Sequence, residues 1–421
     1  MSDLMQKALQ EREFDMCADK AGHHNRQKIF YLIMALIFTD TVLYGSIVPL
    51  IPVYMKTFHL TTFTFGIIFS SYAFGVLVLS IPLGMMAEKY GYRKIFLSGM
   101  TALALSCLFY GLANHAWMLL VCRFFQGAAA AASWTAGLAA VAVLYPLQQG
   151  QKIGLLMAVM SLGTIFGPPI GGFLYHFFGY HQMFAVLSLF CGALIFLIFK
   201  VDFADLDGDG RGSSHINFSF VLKNQKLLYF SLVLIILAST WGLLEILLSV
   251  HLDQQFSLGA VQIGLFFGFT GIVNAVSDAL AGHLSDHYGY DRFVFWGLLA
   301  TALFFPFLAL TASIVILLLL MTLIGIASGA AVTPSQPLMY RLVVSDPETS
   351  PQGAGVIYGL YNACYSVGMF LGPILGGFLN THFKLFWSLT IFSFLFLASA
   401  ALFYVMIIDR QKKTQNFVHP E

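Results

Sequence analysis

Residues 167–174 read GPPIGGFL, and residues 372–379 read GPILGGFL. Both copies belong to a run of three glycines spaced four residues apart, namely Gly163, Gly167 and Gly171 in the first run and Gly368, Gly372 and Gly376 in the second. Each glycine of the second run lies 205 residues after its counterpart. Glycines at this spacing share one helix face and let another helix approach closely, and Pro168 bends the same helix. The repeat predicts two related halves, each with a closely packed, kinked helix.

A second motif repeats at nearly the same distance. Residues 84–94 read GMMAEKYGYRK, and residues 282–292 read GHLSDHYGYDR, with an offset of 198. Two unrelated motifs that recur about 200 residues apart indicate an internal duplication. Parallel repeats around a site near the membrane midplane are typical of secondary transporters.

The composition excludes whole classes of protein. The 421 residues are 58% hydrophobic and 10% charged, and the formal net charge is +1. Soluble domains carry about 25% charged residues, so this chain has too few to cover a water-facing surface. A net charge near zero offers no basic face for nucleic acid. The remaining class is an all-α protein with many membrane spans.

Hydropathy gives twelve candidate spans of about the length that a bilayer requires. They lie near residues 29–53, 64–87, 94–113, 116–143, 153–177, 181–200, 227–251, 259–283, 292–311, 313–340, 353–378 and 384–408. The resulting organisation comprises an N-terminal tail (1–28), a six-helix half (29–200), a polar linker (201–226), a second six-helix half (227–408) and a C-terminal tail (409–421).

The distribution of basic residues predicts the orientation. With both termini in the cytoplasm, 18 of the 21 Lys and Arg residues fall on the inner side, as the positive-inside rule requires. Short loops favour a bacterial inner membrane. A monomer embedded in the lipid bilayer is expected.

Motifs for other chemistry are missing from the sequence. It contains no phosphate-binding GxxxxGK[ST], no HExxH and no GxSxG, which would indicate ATP hydrolysis or hydrolytic enzymes. The five cysteines include no CxxC pair. We therefore expect no enzyme activity, no cofactor and no metal site.

Three ionisable residues lie well inside predicted spans: Asp40 in span one, Arg123 in span four and Glu245 in span seven. A charge at the centre of a membrane helix costs roughly 2.5–3.5 kcal/mol, so such residues are functional candidates. Asp40 and Glu245 are 205 residues apart, which predicts equivalent positions that face one another. A lone buried arginine needs a partner, and depth favours Glu245 first and Asp40 second.

Over its whole length, the chain resembles the major facilitator superfamily. Residues 84–94 are similar to the family's loop motif, although Glu88 replaces the usual Asp and Tyr92 an Arg. RFFQGAAAA at 123–131 is similar to the span-four motif, and GTIFGPPIGG at 163–172 to the span-five motif of proton-coupled antiporters. The resemblance implies the twelve-helix major facilitator fold and alternating access, in which two halves rock about a central site.

Within the superfamily, the chain resembles in particular the vesicular monoamine and acetylcholine transporters and the bacterial drug/proton antiporters. FTDTVLYGSIVPLIPVYM at 38–55 and VIYGLYNACYSVGMFLGPILGG at 356–377 carry much of this likeness. The positions matching Asp40 and Glu245 are acidic in those amine transporters and line the substrate site. Two further acidic positions of that group correspond to Thr333 and Asn362 here, which do not titrate.

Helical spacing and the resemblance together predict the site residues. Proton coupling is assigned to Asp40 and Glu245. Substrate binding is assigned to Asp40, Thr41, Arg123, Ser133, Trp134, Trp241, Glu245, Phe267, Asn274, Asn362 and Tyr365. Gating is assigned to Gly84, Glu88, Arg93, Gly163, Gly167, Pro168, Gly171, Asp278, Asp286 and Gly372.

The sequence thus predicts a proton-coupled antiporter that exports or exchanges a small cationic or amphipathic organic molecule, as in multidrug efflux or vesicular amine uptake. One alternative is a proton-coupled carrier of a zwitterionic metabolite, an amino acid-like compound or a siderophore, which Thr333 and Asn362 keep open. A second alternative is a receptor or sensor that has kept the transporter fold without transport.

Overall fold

The computed structural model describes residues 25–206, 224–344 and 354–405, and this part of the chain is almost entirely helical. The predicted tails and most of the linker lie outside the described residues. The helices are α1 (Asn25–Thr57), α2 (Thr62–Tyr90), α3 (Tyr92–Gly111), α4 (Ala116–Leu144), α5 and α6 within Gln149–Lys200, α7 (Gln225–Phe256), α8 (Ala260–Tyr288), α9 (Tyr290–Ala309), α10 (Ile314–Leu342), α11 (Ala354–His382) and α12 (Leu385–Phe403).

The count of twelve spans depends on one glycine. Eleven helices in the described residues are long and apolar enough to cross a membrane, and one of them contains 52 residues. Gly179 interrupts this helix with φ 71° and ψ −175°, an extended conformation with positive φ that glycine adopts readily. It separates α5 (149–178) from α6 (180–200), so the predicted all-α fold with twelve spans is confirmed.

Three helices depart from regular geometry. A 3₁₀ turn at Val48–Leu50 interrupts α1, with a proline at its start. Another 3₁₀ segment, Phe305–Ala309, ends α9. The regular part of α10 ends at Val332, and a short helix begins at Ser335, because Pro334 cannot continue a helix. The predicted tenth span therefore crosses a break.

The two glycine runs form equivalent contacts. Gly167 of α5 lies against α1, where an added Cβ would stand 3.0 Å from the Val42 carbonyl oxygen. Gly372 of α11 lies in the same way against the backbone of Ser239 in α7. Close backbone approach explains why the spacing of four residues recurs. The pairs α1–α5 and α7–α11 are the counterparts of one another.

These contacts correct the predicted relation between the two carboxylates. Pro168 abuts Gly45 of α1, and Pro373 abuts Gly242 of α7, so α1 and α7 are related by an offset of 197 rather than 205. Asp40 then corresponds to Leu237, and Glu245 lies about two helical turns further along its helix. The prediction of equivalent positions was wrong because the segments that join the helices differ in length between the repeats.

Contacts between α1–α6 (the N-terminal half) and α7–α12 (the C-terminal half) lie towards one end of the molecule. At this closed end, Lys56 Nζ lies 2.7 Å from Asp253 Oδ1. Asn380 Nδ2 donates to Thr62 Oγ1 over 3.3 Å, and Gly172 packs on Ala260. Towards the opposite end of the same helix bundle, Asp278 and Asn362 are exposed. The boundaries of the halves and the orientation of the termini stay predictions.

Candidate functional site

The three ionisable residues predicted inside the membrane lie in one cluster. Asp40 on α1 is 9% exposed, and Arg123 on α4 is fully buried. Glu245 on α7 is partly buried. The cluster therefore combines side chains from both halves, and the C-terminal half contributes Glu245.

Each carboxylate accepts a hydrogen bond from a tyrosine. Tyr72 OH on α2 donates to Asp40 Oδ2 over 3.0 Å. Tyr44 OH on α1 donates to Glu245 Oε2 over 2.6 Å. The two tyrosine rings pack together, with their centroids 4.8 Å apart. A tyrosine hydroxyl, rather than the guanidinium expected from the sequence, therefore donates to one oxygen of each carboxylate.

Arg123 contacts aromatic rings rather than acids. Its Cζ lies 4.5 Å from the centroid of Phe69, 5.2 Å from that of Tyr44 and 5.1 Å from that of Tyr72. These distances are within the range of cation–π attraction. Its Nη1 donates to Gln126 Oε1 over 3.2 Å. Among the described residues no carboxylate oxygen lies within 4 Å of the guanidinium, so the predicted direct ion pair with Glu245 or Asp40 was wrong.

Several buried polar atoms in the cluster have no partner. Asp40 Oδ1 is such an acceptor, and Arg123 Nε and Nη2 are such donors. Buried unsatisfied groups in native proteins call for a water, an ion or a ligand. A cluster that holds both an unpaired acceptor and unpaired donors is suited to water or to a ligand that carries groups of both kinds.

The aromatic surroundings of Arg123 predict the effect of replacing it. We expect Arg123→Lys to lower the stability of the protein by about 1–2 kcal/mol, because an ammonium group loses the planar contact with the aromatic rings and the Nη1 hydrogen bond to Gln126. We also expect a coupling energy of about 1 kcal/mol between Arg123→Gln and Phe69→Leu in a double-mutant cycle. The coupling energy between Arg123→Gln and Asp40→Asn should be smaller. A larger coupling with Asp40 would restore the ion-pair interpretation.

Some predicted site residues contact other helices. The Thr41 hydroxyl donates to its own helix, at Ile37 O over 2.6 Å, and its Cβ faces Gly163 of α5. Asn274 Oδ1 is buried without a hydrogen-bond partner and faces Gly325 of α10. Thr41 thus lies at the contact of α1 with α5, and Asn274 at the contact of α8 with α10, each within one half.

The other predicted binding residues differ in exposure. Ser133 is 1% exposed with an unpaired hydroxyl, and Phe267 is 7% exposed. Trp134 and Trp241 are partly buried, whereas Asn362 is exposed. Their assignment to substrate binding stays a prediction.

Towards the exposed side of the cluster lie the rings of Tyr361 and Tyr365 and the carboxylate of Asp278. Tyr365 is 37% exposed and stacks on Tyr361 at a centroid distance of 6.5 Å. Thr333 Oγ1 donates to Asp278 Oδ1 over 2.8 Å. Thr333, which the resemblance matches to an acidic position, thus bonds to an acid on α8.

The predicted gating residues fall into two groups. The glycines and Pro168 form the helix contacts described above, and Gly84 faces Thr135 of α4. Within the two repeated loop motifs, Arg93 Nη2 donates to the Phe199 carbonyl over 2.9 Å, and Tyr290 OH donates to Asp286 Oδ1 over 2.6 Å. Glu88 is exposed. Neither loop contact joins the two halves, and the predicted latch between them stays a prediction.

Four important side chains of the cluster were not predicted: Tyr44, Phe69, Tyr72 and Gln126. Tyr44 lies four residues after Asp40 and Gln126 three after Arg123, so helical spacing could have suggested them. Phe69 and Tyr72 offered no such signal, because aromatic residues make up 15% of the chain.

Twelve membrane helices with repeated glycine contacts, around a buried cluster of acids and one arginine, define a polytopic membrane carrier. The family model for the Major Facilitator Superfamily matches residues 31–362 and again 280–420. The chain belongs to this superfamily of transporters.

Relatives agree with this assignment. The chain is 27% identical to the MFS-type transporter SLC18B1 of Rattus norvegicus, covering 94% of this chain and 91% of that protein. It is also 27% identical to the Multidrug resistance protein 2 of Bacillus subtilis, covering 85% and 91%.

Solved structures share the fold. A bacterial homologue of the human lysosomal transporter Spinster, in an inward-facing and occupied conformation, superposes with a TM-score of 0.77 at 14% identity, covering 90% of this chain and 96% of that one. The nucleoside transporter NupG gives a TM-score of 0.75 at 15% identity, covering 90% and 98%.

Proposed function

We propose that the protein is a proton-coupled antiporter that exchanges protons for a small cationic or amphipathic organic molecule. Asp40 and Glu245 bind the proton and the substrate in turn, and alternating access moves the site between the two sides of the membrane. Competition between substrate and proton for the same carboxylates is the simplest basis for exchange.

The observation that carries the proposal is the pair of membrane carboxylates held by hydroxyl groups. A carboxylate in a direct ion pair with Arg123 would be neutralised within the protein. Asp40 and Glu245 instead accept from Tyr72 and Tyr44, which leaves each negative charge available to a proton or a cation. Acidic groups inside a membrane bundle are typical of proton relays and ion pathways.

The experiment is a flux measurement in proteoliposomes that contain a pH-sensitive dye. A pH gradient is imposed, and amines, amphipathic cations and zwitterionic metabolites are added in turn. We expect organic cations to evoke proton movement in the direction opposite to their own. Empty liposomes report the leak of each amine. Proton movement with no dependence on any added compound would contradict exchange.

A carrier of a zwitterionic metabolite is the second candidate. Two sets of unpaired polar atoms in the cluster favour it, the Nε and Nη2 donors of Arg123 and the Oδ1 acceptor of Asp40. The carboxylate of a zwitterion can accept from the arginine, and its ammonium group can donate to the aspartate. Flux evoked by zwitterions and not by simple amines would support this candidate over the first.

A further inference from the structure

Tyr44 connects the two halves inside the membrane. It lies one turn after Asp40 on α1, and its hydroxyl donates to Glu245 Oε2 on α7 over 2.6 Å. Hydrogen bonds to a charged acceptor are roughly twice as strong as those between neutral groups. While Glu245 is ionised, this bond therefore holds α7 to α1.

The same ring is also in contact with the surroundings of Asp40. Its centroid lies 4.8 Å from that of Tyr72, whose hydroxyl donates to Asp40. Arg123 lies over both rings, at 5.2 Å and 5.1 Å. Tyr44 cannot turn away from Glu245 without disturbing the ring that holds Asp40, because interiors are closely packed.

We propose that Tyr44 is a positioning residue that holds α1 to α7 through Glu245 in this conformation, and that loss of this bond is required for the closed end to open. A proton or a cation on Glu245 weakens the bond by removing or sharing the negative charge. This inference rests on the proposed function, which places proton and substrate at Glu245.

The test measures opening of the closed end without any transport. Thr62 is 8% exposed at that end, and Thr62→Cys in a cysteine-free background serves as the reporter. Its alkylation by a maleimide is followed in nanodiscs, where the reagent reaches both faces. We expect Tyr44→Phe to raise the alkylation rate about tenfold, as loss of one hydrogen bond to a charged group implies.

Tyr72→Phe is the matched control. This substitution removes the hydroxyl of the neighbouring ring. That hydroxyl bonds to Asp40, and Tyr72 and Asp40 both belong to the N-terminal half, so no bond between the halves is lost. The rate at Thr62→Cys should change less than twofold. In a Glu245→Ala background, Tyr44→Phe should add less than twofold, because the bond is already gone. An equal rise with both phenylalanine variants would overturn the proposal, as would an unchanged rate with Tyr44→Phe.

A second reporter distinguishes opening from loss of structure. Cys191 is fully buried within the N-terminal half, and a protein that keeps it as the only cysteine reports on loosening of the fold. Its alkylation rate should be the same with Tyr44 and with Tyr44→Phe. If Tyr44→Phe raised the rate at Cys191 as much as the rate at Thr62→Cys, the variant would be generally destabilised and the proposal would be contradicted. Alkylation needs no substrate, so the two experiments are independent. If Tyr44→Phe raises the alkylation rate as expected but no proton-coupled flux is found, the proposed antiport is contradicted and the role of Tyr44 is not.

Discussion

Replacing Asp40 by Asn is expected to reduce proton-coupled flux to the level of empty liposomes. Asparagine has the same shape as aspartate and keeps an oxygen that can accept from Tyr72, so the fold should persist. The amide does not bind and release a proton at physiological pH, and it carries no charge to attract a cation. Both requirements for exchange at this position are then lost.

The measurement is dye-reported proton movement driven by whichever compound gives the largest flux in the unmodified protein. Asp202→Asn is the control, because it makes the same change at an exposed carboxylate beyond the end of α6, and its flux should be unchanged. Monodisperse elution in detergent shows that both variants fold. Coupled flux at the normal rate in Asp40→Asn would remove Asp40 from the mechanism, whatever the substrate.

The substitution Gly171→Ala, which adds a single methyl group, is expected to have the second large effect, a loss of stability and of flux. A Cβ there would lie 2.7 Å from the carbonyl carbon of Ser46 on α1, and closer still to its oxygen. Neither helix can yield easily, since the obstacle is backbone. Overpacking of this kind costs about 1–3 kcal/mol, so Gly171→Ala should lower the melting temperature in detergent by several degrees and slow flux by disturbing the α1–α5 contact.

Gly192 provides the matched control for this substitution. It lies in α6, and an added Cβ would meet nothing within 4 Å. Alanine favours helix over glycine by about 0.5–1 kcal/mol, so Gly192→Ala should leave the melting temperature equal or slightly higher. If Gly171→Ala were as stable as Gly192→Ala, the close approach of α5 to α1 would be refuted.

The sequence alone was sufficient for the class and outline of the fold. Hydropathy gave twelve spans, because a bilayer requires long apolar segments and every one of them is visible in the chain. The glycine runs identified α5 and α11 as the closely packed helices. The glycine pattern can be recognised without the structure, since it involves only residues four apart on one helix. Asp40, Arg123 and Glu245 can likewise be recognised in the sequence, since each is an ionisable residue within an apolar span.

Tertiary structure decided how those residues interact. The relation of α1 to α7 depends on loop lengths, so an offset taken from α5 and α11 misplaced Glu245 by about two turns. The partners of the charges come from other helices: Tyr72 on α2 bonds Asp40, and Tyr44 on α1 bonds Glu245. Charge alone suggested an ion pair with Arg123, whereas packing placed three aromatic rings around it. Contacts between distant segments depend on how helices cross, and no spacing within one segment records that.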